Sequence, residues 1–134
     1  MTNASSRVWT KGGADVSDSE AAIVARSMIV ARDALNLSLP PALLMDTALS
    51  VLLRLFVAYT EARQVFVEDL VTSGWASQTL VVRWLNALQS EGLVILATDG
   101  SGRCSLSPTG LDQMRGALAA VVQSQTDLHV AYAS

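Results

Sequence analysis

Hydrophobic positions along the chain fall into two kinds of run. From Ile23 to Tyr59 they are dense and spaced for helices; from Val65 onward they form short clusters split by turn residues. Ser17-Asp18-Ser19-Glu20 has capping-box form, a hydroxyl three residues before a Glu, and predicts a helix over about Asp18 to Asn36. Ile23, Val24, Met28, Val30, Ala31, Ala34 and Leu35 fill most of its circumference, and Arg26, Arg32 and Asp33 leave a narrow wet face. Leu39-Pro40-Pro41 stops this helix and opens a second, about Ala42 to Tyr59. Only Asp46, Ser50 and Arg54 interrupt it, at i, i+4 and i+8, so it is an apolar cylinder with one polar stripe. A helix apolar on most sides must be buried on most sides, here with one side on the core and another on a partner subunit.

Beyond the polar break Glu61-Ala62-Arg63-Gln64, Val65-Phe66-Val67 reads as a short strand. Glu68-Asp69-Leu70-Val71 begins a short helix with acids in its first turn, ended by Ser73-Gly74. Ser77 caps the next helix, Gln78 to Ser90, and Gly92 stops it. Leu93 to Leu96 and Arg103 to Leu106 are strands joined by the turn residues Thr98-Asp99-Gly100-Ser101-Gly102. Ser107-Pro108 starts a last helix, with Leu111, Met114, Leu118 and Val121 on one face, and fraying is expected from Gln123. The organisation expected is a mobile tail over 1–16, one domain over 17–125 and a second tail over 126–134. Within the domain, 17–60 supplies core and dimerisation helices, 61–107 a helix-turn-helix with its hairpin, and 108–125 a C-terminal helix. Two helices on a tight turn, followed by a glycine-tipped hairpin, form a winged helix-turn-helix pattern. The fold class expected is therefore mainly α with a small β-hairpin wing and N- and C-terminal dimerisation helices.

Composition narrows the function classes. The chain has 134 residues, 51% hydrophobic and 16% charged, which excludes disorder over most of its length. Arg26, Arg32, Asp33, Asp46 and Arg54 break the apolar runs, so no membrane span is expected. The surplus of apolar residues in so small a chain, with mean hydropathy +0.38, points to a buried oligomer interface. One cysteine and one histidine exclude a disulfide framework and make zinc a poor candidate. No Gly-rich phosphate loop, paired-carboxylate site or nucleophile elbow is present, so neither an enzyme nor a cofactor is expected. The N-terminus lacks an apolar signal segment, and the expected location is the cytoplasm.

The stretch Ser77-Gln78-Thr79-Leu80-Val81-Val82-Arg83-Trp84-Leu85-Asn86-Ala87-Leu88-Gln89-Ser90-Glu91-Gly92-Leu93-Val94 resembles the recognition helix and first wing strand of MarR-type regulators. Leu106-Ser107-Pro108-Thr109-Gly110 resembles the segment that leaves their wing. The similarity spans about Leu44 to Leu118, and the short form is also similar to small winged-helix proteins of alphaproteobacteria. The resemblance implies a bacterial homodimer that binds duplex DNA in transcription regulation, with terminal helices pairing between subunits and an unidentified small-molecule effector possible.

Within the recognition helix, Val81, Leu85 and Leu88 share one face and should pack inward, with Trp84 adjoining. Gln78, Thr79, Val82, Arg83 and Asn86 are the outward candidates for DNA contact; Arg suits guanine and Gln adenine. Ser77 and the free amides at the helix start could take a phosphate. Ser101 at the wing tip and Arg103 beside it complete the set, with Arg103 placed for the DNA backbone. Charge opposes an easy reading. The net charge is −3, from 9 basic and 12 acidic residues, and between Ser77 and Arg103 two arginines meet Glu91 and Asp99. The alternative is a winged-helix module that works through protein contacts with weak or no DNA binding. Asp46 and Arg54 would line an effector pocket or make interhelical ion pairs. Cys104 reads as a half-buried structural thiol rather than a redox sensor. Trp75 and Trp84 read as core or interface anchors, Met28, Met45 and Met114 as packing residues, and His129 as a tail residue.

Overall fold

The computed structural model describes residues 16–39, 47–72 and 77–133. Helix α1 (Asp18–Ser38) starts at the expected capping box: Ser17 Oγ accepts from the Glu20 N–H at 3.1 Å, and Glu20 Oε1 accepts from the Ser17 N–H at 3.0 Å. Helix α2 (Thr47–Thr60) follows; Pro40, Pro41, Ala42, Met45 and Asp46 lie outside the described residues, as do Ser73, Gly74, Trp75 and the tail over 1–15. Then come β1 (Val65–Phe66), α3 (Val67–Thr72), α4 (Gln78–Ser90), β2 (Val94–Leu96), β3 (Arg103–Leu106) and α5 (Pro108–Ala133). The strands form one antiparallel sheet in the order β1-β3-β2, with Val65 opposite Cys104 and Ile95 opposite Ser105. The result is a mainly helical chain with a small sheet.

Two boundaries differ from expectation. Val67 belongs to α3 rather than to the strand, although its N–H still donates to the Gly102 carbonyl at 2.8 Å. The last helix does not fray at Gln123 but runs to Ala133. Polar residues there do not break a helix; after Gly116 the segment has neither glycine nor proline, and Gln123 Nε2 donates to Asp127 Oδ1 one turn on at 2.9 Å.

Helix α2 is the axis of the fold, with a core on each side. Val51, Leu55 and Ala58 pack with Val65, Leu70, Val81, Leu85, Leu88, Val94 and Cys104. Leu53, Phe56 and Val57 pack with Ala21, Ala22 and Ala25 of α1 and Met114 and Leu118 of α5. Its thin polar stripe is a seam against α1: Arg32 Nε donates to Ser50 Oγ at 3.3 Å, and Arg54 pairs with Asp33 at 2.8 Å. Both apolar sides of α2 are thus covered within one chain, which corrects the expectation that one would await a partner subunit. On α1 the expectation fares differently. Ala21, Ala22 and Ala25 face inward, while Ile23, Val30 and Leu37 stay exposed.

Residues Leu106 to Gly110 lock the sheet to α5. Ser107 Oγ donates to the Gly92 carbonyl at 2.5 Å and accepts from the Gly110 N–H at 2.9 Å. The α5 backbone at Gly110 lies so close to Leu93 that a Cβ there would overlap the Leu93 carbonyl. No described helix is long and apolar enough to cross a membrane.

Candidate nucleic-acid interface

Helix α4 has the boundaries its sequence predicts. Ser77 Oγ accepts from the Leu80 N–H at 3.2 Å, fixing the N-terminus. At the other end the Leu93 N–H reaches the Leu88 carbonyl at 3.0 Å and the Gly92 N–H the Gln89 carbonyl at 2.9 Å, with Gly92 at φ +81°. That is a Schellman end, which needs the left-handed conformation glycine adopts without strain. Val81, Leu85 and Leu88 anchor the inner face. This leaves Ser77, Gln78, Thr79, Arg83 and Asn86 exposed together; Val82 and Trp84 are half-buried at the flanks. Thr79, Arg83 and Asn86 point most directly away from the core, because 3.6-residue periodicity sets them opposite Val81, Leu85 and Leu88.

Strands β2 and β3 extend from the C-terminal end of α4, and Gln89 Oε1 accepts from the Leu96 N–H at 2.9 Å. The connecting turn uses Gly100 at φ +83° and Gly102 at φ +78°. Asp99 Oδ1 accepts from the Ser101 N–H at 3.0 Å, and Ser101 Oγ accepts from the Arg103 N–H at 3.2 Å. Hydrogen bonds from the Ser101 hydroxyl and N–H hold the Asp99 carboxyl below its ordinary range. Ser101 is therefore exposed but committed to shaping the turn, whereas the Arg103 side chain stands out from β3. The predicted residues form two groups, one on α4 and one on the hairpin.

The arginines divide sharply. Arg26 and Arg63 both bind Glu61, at 2.6 and 2.9 Å, and hold its carboxyl low. Arg115 makes two 3.0 Å contacts to Asp18 and lies over the Tyr59 ring; the Asp18 carboxylate raises its already high pKa further. Arg32 and Arg54 lie in the α1–α2 seam. Among the described residues, Arg83 and Arg103 are in no ion pair, though Arg103 lowers Asp99 through space. Among the described arginines, the guanidiniums that neither pair with a carboxylate nor bond a side chain are those of Arg83 and Arg103, on α4 and the hairpin.

Sequence reasoning missed how the ground beneath these groups is built. Asp69, read as a first-turn acid, accepts from the Phe66 N–H at 2.9 Å and so ties β1 to α3. The i, i+3 spacing of Phe66 and Asp69 was the available signal. Arg54 makes an interhelical ion pair with Asp33, and it lines a cleft of about 270 Å3 with Arg26, Arg63, Ile29, Val57 and Val65. Its expected companion Asp46 lies outside the described residues, as does the side chain of His129. Cys104 is fully buried rather than half-buried; its thiol donates to the Val65 carbonyl, and burial pushes its pKa up to about 11. Met114 is buried and Met28 half-buried, as packing residues should be. No group of histidine, cysteine and carboxylate residues able to hold a metal ion occurs among the described residues. Compared with models of known protein families, with curated proteins and with solved structures, the chain matches none.

Proposed function

We propose that this chain is a winged helix-turn-helix regulator of MarR-like type that binds duplex DNA as a homodimer. In this reading α3 and α4 form the helix-turn-helix, α4 enters the major groove, and the β2–β3 hairpin is the wing. Thr79, Arg83 and Asn86 face base edges, Gln78 and Ser77 sit at the groove entrance, and Arg103 meets a phosphate. The observation that carries the reading is the sorting of the described arginines: Arg26, Arg54, Arg63 and Arg115 meet carboxylates and Arg32 a hydroxyl, and Arg83 and Arg103 are left to an outside anion. A two-fold dimer would set its α4 helices about 34 Å apart, one turn of DNA. The cleft beside Arg54 is where an effector would act on the joint between the helical half and the reading half.

Few cations per subunit mean a modest salt slope, about −0.9 per phosphate neutralised. Affinity must then come from base contacts, and Arg83→Ala is expected to weaken specific binding by about 1–3 kcal/mol. Fluorescence anisotropy on duplexes tiled across the gene's own upstream region, from low to physiological salt, tests this. Saturable, sequence-dependent binding that drops in Arg83→Ala supports the reading. A folded protein that binds no duplex even at low salt overturns it and leaves the protein-contact alternative, which the balance of Arg83 and Arg103 against Glu91 and Asp99 favours.

A further inference from the structure

The large apolar side chains of α1 that miss the chain's own cores include Ile23, Val30 and Leu37, exposed by 61%, 67% and 91%. They are spaced seven and seven residues apart. Seven residues are nearly two helical turns, so the three stack in one stripe about 21 Å long. Ser27, Ala31 and Ala34 lie on the same outward side, all small and all exposed. The stripe thus alternates protrusions with gaps, the pattern that lets two helices interdigitate. Large residues 23 and 37 are equidistant from residue 30, so the pattern is nearly symmetric about Val30.

We propose that a second copy of this chain docks antiparallel on this stripe, with a two-fold axis through Val30. Val30 then meets the partner's Val30, and Ile23 meets the partner's Leu37. Such a contact is isologous: one self-complementary surface serves both copies. Charge selects the direction. Arg26 and Asp33 lie along one edge of the stripe, opposite in sign and again seven residues apart. The antiparallel arrangement brings Arg26 beside the partner's Asp33, twice over. A parallel two-fold pair would place the two copies of this edge on opposite sides of the contact, where the charges would not meet. Arg26 engages Glu61 through one nitrogen, and Asp33 engages Arg54 through one oxygen, so each has capacity for the second contact.

This interface gives a register to the homodimer of the reading above, and it is tested without DNA. Single cysteines are placed in the full chain, whose own Cys104 is buried. Under mild oxidation Val30→Cys should form a disulfide-linked dimer, since an axial residue meets itself within the ~3.5–4.5 Å Cβ separation a disulfide requires. Ile23→Cys and Leu37→Cys should stay unlinked alone and link when mixed. Val30→Glu should halve the mass seen by light scattering while leaving the helical circular dichroism unchanged, because Val30 touches no core. An unlinked Val30→Cys, self-linking Ile23→Cys, or a Val30→Glu protein that stays dimeric overturns the proposal. A dimer linked in this register that binds no duplex upholds the interface and sinks the regulator reading; DNA binding by a protein that fails the Val30→Cys link does the reverse.

Discussion

The two cores flanking α2 are built differently. On the sheet side, side chains from six elements interlock, mostly branched aliphatics, and Leu85, Val81 and Leu70 are fully enclosed. On the other side three helices meet, and α1 contributes alanines. Small residues let α1 lie close to α2, while Ile23, Val30 and Leu37 stay on the outside. The sheet-side unit closes on itself and frees its polar face for contact. The helical side is closed inward and leaves an apolar stripe outward, the surface on which the proposed second copy would dock.

The largest effects should come from truncating each core. Phe56→Ala is expected to cost about 3–5 kcal/mol and Leu85→Ala about 2–5 kcal/mol, since both leave enclosed cavities. Hydrogen exchange followed residue by residue sharpens the comparison. Phe56→Ala should deprotect α1 and α5 first, and Leu85→Ala should deprotect α4 and the sheet. Uniform loss in both variants would mean that the two cores are one cooperative unit.

A middle-sized effect separates the cores by pH. The Cys104 thiol titrates near 9.0 when unfolded and about 11 when folded. Between these values the folded chain keeps a proton that the unfolded chain has lost. Stability should therefore be unaffected below about pH 9 and fall by up to ~1.4 kcal/mol per pH unit above it. Urea midpoints of wild type and Cys104→Ala across that window check this: the alkaline decline should be shallower in the variant. Equal slopes would show that the sheet-side core does not hold the thiol protonated.

The smallest effects concern how the two central helices end. Both close with a Schellman turn, but α4 uses Gly92 and α2 uses Ala62, at φ +54°. The Arg63 N–H reaches the Ala58 carbonyl at 2.9 Å, and the Ala62 N–H the Tyr59 carbonyl at 3.1 Å. A left-handed alanine costs about 1 kcal/mol relative to glycine. Ala62→Gly should raise stability by about 1 kcal/mol and Gly92→Ala should lower it by a similar amount, read as opposite shifts in thermal midpoint. Nothing in the polar stretch Glu61 to Gln64 announces this turn, because its signature residue is missing.

Local signals made much of the fold legible. The Ser17 capping box, the Ser77 cap, the Gly92 stop and the glycine-tipped hairpin each act through backbone hydrogen bonds within a few residues, so sequence alone places α1, α4 and the β2–β3 turn. The inward stripe of α4 was equally clear, and with it the outward group around Arg83. What covers an apolar face was not. The pattern of α2 demanded burial on two sides, but only packing decides that both sides are met within one chain. The pattern of α1 promised burial all round, yet Ala21, Ala22 and Ala25 turned inward and Ile23, Val30 and Leu37 turned out. Which arginines are neutralised is also a tertiary matter, since Arg26 and Glu61 are distant in sequence and meet only when α1 lies against the end of α2. Sequence determined where the chain turns and caps, because those forces are local; folding decided which faces and charges remain unpartnered, because partners come from anywhere along the chain.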